Sequence, residues 1–194
     1  KQILAFFILF IALSCSKEDS NPHVNEVANL AVEIGNSEIP YIQITSPNQI
    51  LNEPKVTAEM KIFTKKKLVV KTTIGIEYRG STSYRISDKK SYGVETRDAI
   101  GNDIDLSILG FPAEEDWILT GDVYKSSENL MFDPTLMHHY VGYELFRKMG
   151  NYSSRSKFVE LEINGVYLGI YVLMEKLKQG PDRINVEKLL ASDT

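Results

Sequence analysis

The sequence predicts an α+β fold in which several antiparallel strands accompany one main helix. Three observations support this. Several segments alternate apolar and polar residues, one long stretch has helical periodicity, and an Asn-Gly pair at residues 164–165 separates two apolar runs. Alternation with a period of two is typical of half-buried strands, and Asn-Gly between such runs is a strong hairpin signal. The order of these elements favours antiparallel pairing around a single core.

The strands are identified by the residues that share a face. In the segment 56–63, every second residue is apolar, and the residues between them include Thr57, Glu59 and Lys61. This pattern predicts one face against a core and one toward solvent. The same reasoning predicts strands at residues 41–44, 68–79, 90–96, 158–163 and 166–174.

One helix is well marked, and it is predicted to open at Asp133-Pro134 and to end at Gly150. An aspartate can cap free backbone amides, and proline fits the first helical turn. Glycine commonly terminates a helix. The helix is expected to pack on the sheet through an apolar stripe formed by Met137, Tyr140, Val141, Leu145 and Met149.

The first residues predict a lipoprotein signal. The apolar run 3–13 is shorter than the roughly 20 residues that a membrane span needs, and it has the character of a secretory leader. The sequence Leu-Ser-Cys-Ser at 13–16 looks like a lipobox, although a free cysteine in a leader is the alternative. We therefore expect a signal peptide over residues 1–15 with lipidated Cys15, a flexible linker over 16–38, and the folded domain from 39 to 194.

Composition excludes several classes of function. The 194 residues include 22 basic and 26 acidic ones, for a net charge of −4, whereas nucleic-acid binders usually carry a basic excess. Cys15 is the only cysteine, so its lipidation would exclude disulfides and cysteine–zinc sites. His138 and His139 are adjacent and would point about 100° apart on a helix, so no metal site is assigned to them.

Four segments, in order along the chain, resemble the CotH (spore coat protein H) kinase family. They are residues 76–83 with 89–92, residues 103–112 with 115–119, residues 143–150, and the segments 158–161, 164–169 and 173–176. A tail at 182–186 follows, and the resemblance covers about residues 39–190. It implies the amino-terminal lobe of an atypical kinase that uses ATP with Mg²⁺ or Mn²⁺ and phosphorylates a protein. With the leader, it places the protein in the bacterial cell envelope, at the outer membrane or cell surface.

The resemblance also implies where the catalytic residues lie. The family's catalytic and metal-binding aspartates belong to a carboxyl-terminal half, so they are expected beyond Thr194, and the domain in hand is expected to be incomplete and inactive alone. The chain departs from the family between residues 122 and 136, where its sequence is looser than the family's Asp-Lys-Ser-Leu-Arg-Asn-like stretch. The alternative function is a non-catalytic surface module that holds a partner or a glycan on a kinase-like scaffold.

A first group of candidate nucleotide-binding residues lies in the small-residue loop after the third strand. Arg79, Gly80, Ser81 and Ser83 could bring backbone amides and hydroxyls to phosphate oxygens. The alternative is an ordinary hairpin turn.

A second group of candidate residues is based on the lysine–glutamate ion pair of protein kinases. Lys90 shares a strand face with apolar neighbours, and Glu144 lies on the helix stripe, so the two are predicted to pair, unless Glu144 pairs with Lys148 instead. Residues 173–176, including Glu175, resemble a hinge whose backbone would bind adenine, or they are simply the end of a strand.

Overall fold

The computed structural model describes residues 38–187. Nine strands, two α-helices and a short 3₁₀ helix at Ser126–Glu128 are found in this part of the chain. The strands are β1 (Tyr41–Thr45), β2 (Val56–Thr64), β3 (Lys67–Arg79), β4 (Ser91–Arg97), β5 (Asp116–Thr120), β6 (Tyr124–Lys125), β7 (Leu130–Met131), β8 (Ser156–Ile163) and β9 (Val166–Glu175). The helices are α1 (Thr82–Ile86) and α2 (His138–Lys148). The predicted signal peptide and nearly all of the predicted linker lie outside the described residues.

Seven of the strands form a closed barrel in the order β1-β2-β3-β4-β5-β9-β8. Every neighbouring pair is antiparallel except β1 and β8, which run parallel and close the barrel with Tyr41 opposite Glu160. The remaining two strands, β6 and β7, form a small separate sheet. Closure removes the open edges at which backbone groups would lack partners.

The predicted α+β fold, with the layout of a kinase amino-terminal lobe, is therefore wrong. The described residues are mostly β structure with one main helix, and the sheet closes on itself. Two features account for the difference. Strand β5 was not predicted, because all but the last of its residues are buried and it shows no alternation. The closing pair joins segments about 120 residues apart, which local periodicity cannot reveal.

The barrel interior is the hydrophobic core, and the strand alternation predicts it well. On β4, Tyr92 and Val94 point inward as expected. Trp117 on β5 is buried and stacks on Phe111, with ring centroids 5.8 Å apart. The Asn164-Gly165 hairpin between β8 and β9 is confirmed, with positive φ at both residues, as a two-residue turn of this kind requires.

Helix α2 begins later than predicted and presents a different face to the barrel. It starts at His138, because Asp133 caps it from five residues upstream by accepting a hydrogen bond from the His138 amide at 2.8 Å. Of the predicted packing stripe, only Tyr140 meets the barrel, where its ring lies 5.0 Å from that of Phe158. The aliphatic residues of the stripe are exposed. No helix within residues 38–187 is long and apolar enough to span a membrane.

Ion pairs at Glu95 on β4 should make stability depend on pH. The carboxylate contacts Lys55 Nζ at 2.6 Å and Arg97 Nη2 at 2.7 Å. Burial by itself would raise the pKa of Glu95, but the hydrogen bonds from Lys55 and Arg97 outweigh it and lower the pKa from 4.5 to about 2. Because the folded pKa lies below the unfolded one, the stabilisation is complete above the unfolded pKa and is lost as the pH falls toward 2.

The free energy of unfolding should therefore fall less in Glu95→Gln than in the wild type as the pH is lowered from about 5 to about 2. Denaturant unfolding at a series of pH values measures this, with the exposed Glu128→Gln as the control. If both variants kept the wild-type pH dependence, the ion pairs of Glu95 would not be the cause.

Candidate functional site

A cavity of about 370 Å³ lies between helix α2 and the outer face of strands β5 and β9. Ile118 and Met174, which pair in register across these strands, line it. Their chain neighbours Trp117 and Leu173 belong to the barrel core, so Ile118 and Met174 point to the outside of the barrel. Helix α2 contributes His139 to the same space. We call this space the α2 cavity.

Arg79 brings a positive charge to the α2 cavity. It is the last residue of β3 and is exposed. Its guanidinium makes no hydrogen bond or ion pair with any other residue in the described range. A guanidinium has five donors in a planar fork that suits phosphate and carboxylate oxygens. An unpaired arginine beside an apolar wall is thus an arrangement that can bind an anionic ligand with an apolar part.

A histidine–aspartate contact lies beside the cavity, and neither residue was predicted to take part in a site. His139 Nδ1 is 3.8 Å from Asp122 Oδ1. Burial and the nearby Asp133 carboxylate raise the pKa of Asp122, against the opposing effect of His139. The only sequence signal for this pair is that Asp122 comes two residues after the end of β5, and loops beside strand ends often carry functional groups.

The predicted phosphate loop is neither a hairpin turn nor an extended loop. Gly80 has a φ of 101°, and any side chain there would collide with Ser83. Ser81 and Ser83 begin the single turn of α1. Gly80 and Ser81 line a separate cleft of about 520 Å³, which Arg79 also borders. Of the four predicted loop residues, the structure brings only Arg79 to the α2 cavity.

The predicted ion pair between Lys90 and Glu144 is not formed. Lys90 Nζ donates hydrogen bonds to the carbonyls of Tyr84 at 2.6 Å and Ser87 at 2.7 Å, so it closes the end of α1. Glu144 pairs with Arg147 on its own helix and not with Lys148. The neighbouring lysine also has a backbone partner: Lys89 Nζ donates to the Ile170 carbonyl at 2.5 Å, and burial lowers its pKa.

Glu175 lies at the predicted hinge, but its side chain is engaged elsewhere. The carboxylate is fully buried and contacts Arg155 Nη1 at 2.9 Å and Arg183 Nη2 at 3.4 Å. Its backbone amide donates to the Arg155 carbonyl at 3.2 Å. Hence any hinge contact with a ligand would have to come from the backbone of Lys176 and Leu177, which follow the last residue of β9 and line the α2 cavity.

One acidic group has the spacing of a metal site. Within residues 38–187, Glu114, Glu115 and Asp116 are the residues whose ligand atoms converge closely enough. Lys178 already occupies the centre, with Nζ at 2.6, 3.0 and 2.9 Å from the three carboxylates. Burial would lower the pKa of Lys178, but these contacts outweigh it and raise the pKa. The cluster is therefore an ion-pair network with an ammonium group at its centre, and Lys176 and Arg183 also pair with it.

Comparison with known proteins agrees with the resemblance seen in the sequence. No curated protein matches the chain. The family model described as CotH kinase protein matches residues 76–192, which is more than half of the chain. The match begins near the end of β3 and extends through α2 and β9, so it includes every element that lines the α2 cavity. This chain belongs to the CotH kinase protein family.

Proposed function

We propose that this chain supplies the nucleotide-binding part of an atypical protein kinase, which transfers phosphate from ATP to a protein. The observation that supports this most is the α2 cavity, where the unpaired guanidinium of Arg79 borders an apolar wall. ATP combines the same two features, a polyanion and a flat, largely apolar base. Family membership gives independent support for a kinase-like role.

Each side of the cavity has a role in this proposal. Arg79 would bind phosphate oxygens, because charge-assisted and bidentate hydrogen bonds are the strong ones. Ile118 and Met174 would pack against the base. The backbone of Lys176 and Leu177 would hydrogen-bond the edge of the base. In phosphoryl transfer, such positioning and charge neutralisation make up most of the catalysis.

We assign Mg²⁺ or Mn²⁺ to no residue in the described part of the chain. Among residues 38–187, the one cluster with suitable spacing already holds the Lys178 ammonium group at its centre. The divalent ion would accompany the phosphates of ATP. Its contribution would be to neutralise charge on the transferred phosphate.

Titration calorimetry tests the binding step directly. The chain should bind ATP more tightly than adenosine, because adenosine lacks the phosphates that Arg79 would contact. Phosphotransfer is assayed separately, with labelled ATP, Mg²⁺ or Mn²⁺ and a general protein acceptor. Equal affinity for ATP and adenosine would contradict a phosphate site, and a non-catalytic surface module would then be the better account.

We also propose that the protein is a lipoprotein of the bacterial cell envelope, held at the membrane by lipid on Cys15. The support is the apolar leader that ends in Leu-Ser-Cys-Ser at residues 13–16. Metabolic labelling with an alkyne fatty acid should mark the wild type and not Cys15→Ser, with Ser14→Ala as a matched control that keeps the label. Equal labelling of wild type and Cys15→Ser would rule out lipid attachment at this residue.

A further inference from the structure

A smaller pocket, of about 320 Å³, lies at the end of the barrel where β4 begins and β5 ends. It shares no lining residue with the α2 cavity. Its lining combines aromatic rings with two lysines and consists of Asp88, Lys89, Lys90, Tyr92, Tyr124, Tyr167, Leu168 and Tyr171. Ligand sites are typically concave and mostly apolar with a few polar groups, and the mouths of barrels are common places for them. We call this space the tyrosine pocket.

The ammonium group of Lys89 has donors to spare. Its Nζ donates to the Ile170 carbonyl at 2.5 Å and lies 4.5 Å from the centre of the Tyr171 ring. An ammonium group has three N–H donors, of which the carbonyl takes one and the ring face at most another. At least one donor is therefore left for a ligand in the tyrosine pocket.

Close packing holds the Lys89 side chain and the Tyr171 ring in place. Gly121 lies so near that a methyl group there would come within 3.0 Å of both Lys89 Cγ and the Tyr171 ring. The Tyr171 hydroxyl also donates to the Lys90 carbonyl at 3.0 Å. Groups fixed in this way lose little further freedom when a ligand binds, which favours affinity.

The lysines of the tyrosine pocket have no carboxylate to neutralise them. In the described part of the chain, neither Lys89 nor Lys90 forms an ion pair, and Lys90 Nζ donates to two backbone carbonyls. Asp88 is the one acidic residue of the lining, and its Oδ2 accepts hydrogen bonds from the Ser126 amide at 2.7 Å and the Ser126 hydroxyl at 2.6 Å. The lining is thus positive where the ligand would lie.

Burial makes the charge on Lys89 costly. The carboxylate of Asp122, which does not line the tyrosine pocket, acts to raise the pKa of Lys89, but burial outweighs it and lowers the pKa. Burial disfavours a charged group unless an opposite charge lies near it. A bound anion would supply that opposite charge.

We propose that the tyrosine pocket is a second ligand site, which binds a small molecule carrying a carboxylate or a phosphate group on a flat apolar ring. The anionic group would accept the remaining hydrogen bonds of Lys89, because hydrogen bonds between charged groups are the strong ones. The ring would pack on Leu168 and on the tyrosine rings, which favour offset or edge-to-face contacts. The proposal does not depend on nucleotide binding in the α2 cavity.

NMR titration of the full chain with benzoate and with phenyl phosphate tests the proposal, and benzamide serves as the uncharged analogue of benzoate. Both anions should shift the Cε signal of Lys89, which is assigned by its loss in Lys89→Met, and the methyl signals of Leu168. Benzamide should bind at least about tenfold more weakly than benzoate, because it lacks the charge.

Three variants locate the site through the Leu168 methyl signals. Lys89→Met should weaken benzoate binding at least about tenfold, and Lys89→Arg, which keeps the charge, should retain most of it. Lys67→Met is the matched control, since Lys67 is an exposed lysine at the start of β3, and it should bind benzoate as the wild type does.

Three results would overturn the proposal. The first is that neither anion shifts the signals of Lys89 and Leu168. The second is equal affinity for benzoate and benzamide. The third is benzoate binding that Lys89→Met leaves intact and Arg79→Met abolishes, which would place the anion in the α2 cavity. If Lys89→Met did not fold, the wild-type shifts and the comparison with benzamide would decide.

Discussion

Replacing Glu175 by glutamine should lower the free energy of unfolding by roughly 3–5 kcal/mol, the usual cost of breaking a buried ion pair from one side. Glu175 has no solvent exposure and lies between two guanidinium groups. Arg155 also donates its backbone amide to the carboxylate, at 2.9 Å. Glutamine keeps the shape but removes the negative charge, so Arg155 would lose its counterion and Arg183 would keep only Glu114, which lies 3.3 Å from its Nε.

Denaturant unfolding measures this loss, and Glu128→Gln is a suitable control. Glu128 also pairs with a basic residue, Lys125, but its side chain is 55% exposed. Exposed pairs contribute about 0–1 kcal/mol, so this control should change stability little. If Glu175→Gln unfolded at the same denaturant concentration as Glu128→Gln, the buried ion pairs of Glu175 would not stabilise the fold as its contacts indicate.

Replacing Arg79 by methionine should weaken ATP binding by about 10- to 100-fold. A hydrogen bond to a charged group contributes about 1.5–3 kcal/mol, and each 1.4 kcal/mol corresponds to a tenfold change in affinity. Methionine keeps the apolar stem and removes the donors. Because the guanidinium makes no contact with other described residues, stability should change little, which separates a binding effect from a folding effect.

Arg85→Met is the matched control for Arg79→Met. Arg85 is an exposed arginine of α1 that borders the neighbouring 520 Å³ cleft, as Arg79 does, but does not line the α2 cavity. Its removal should leave ATP affinity within about twofold of wild type. Weaker binding in Arg85→Met alone would move the phosphates to the cleft beside Gly80 and Ser81.

Local signals predicted the strands well and the closure of the barrel poorly. The Asn164-Gly165 turn depends on two adjacent residues and is confirmed. Strand β5 has nearly continuous burial, which removes the alternation that would identify it. The pairing of Tyr41 with Glu160 is a contact between distant parts of the chain, and no pattern within either strand specifies its partner.

The site was predicted in part, for similar reasons. Arg79 was identified from its position after a strand and before small residues, and it lines the cavity. The predicted Lys90–Glu144 pair was wrong because each residue has a partner nearby in the sequence. Lys90 binds carbonyls at the end of α1, and Glu144 pairs with Arg147. The stripe on α2 was recognised correctly as apolar, but periodicity gives no information on which side of a helix meets the barrel.

Photolabelling with 8-azido-ATP tests most directly whether nucleotide binds in the α2 cavity. The account predicts that label competed by ATP will be found in peptides containing His139 and Tyr143 of α2 or residues 174–177 after β9, and that Arg79→Met will reduce it. Label confined to residues 38–40 and 155–158, around a cleft of about 980 Å³ that Tyr140 and Glu144 of α2 also line, would contradict the account. The absence of any label that ATP competes would contradict it as well.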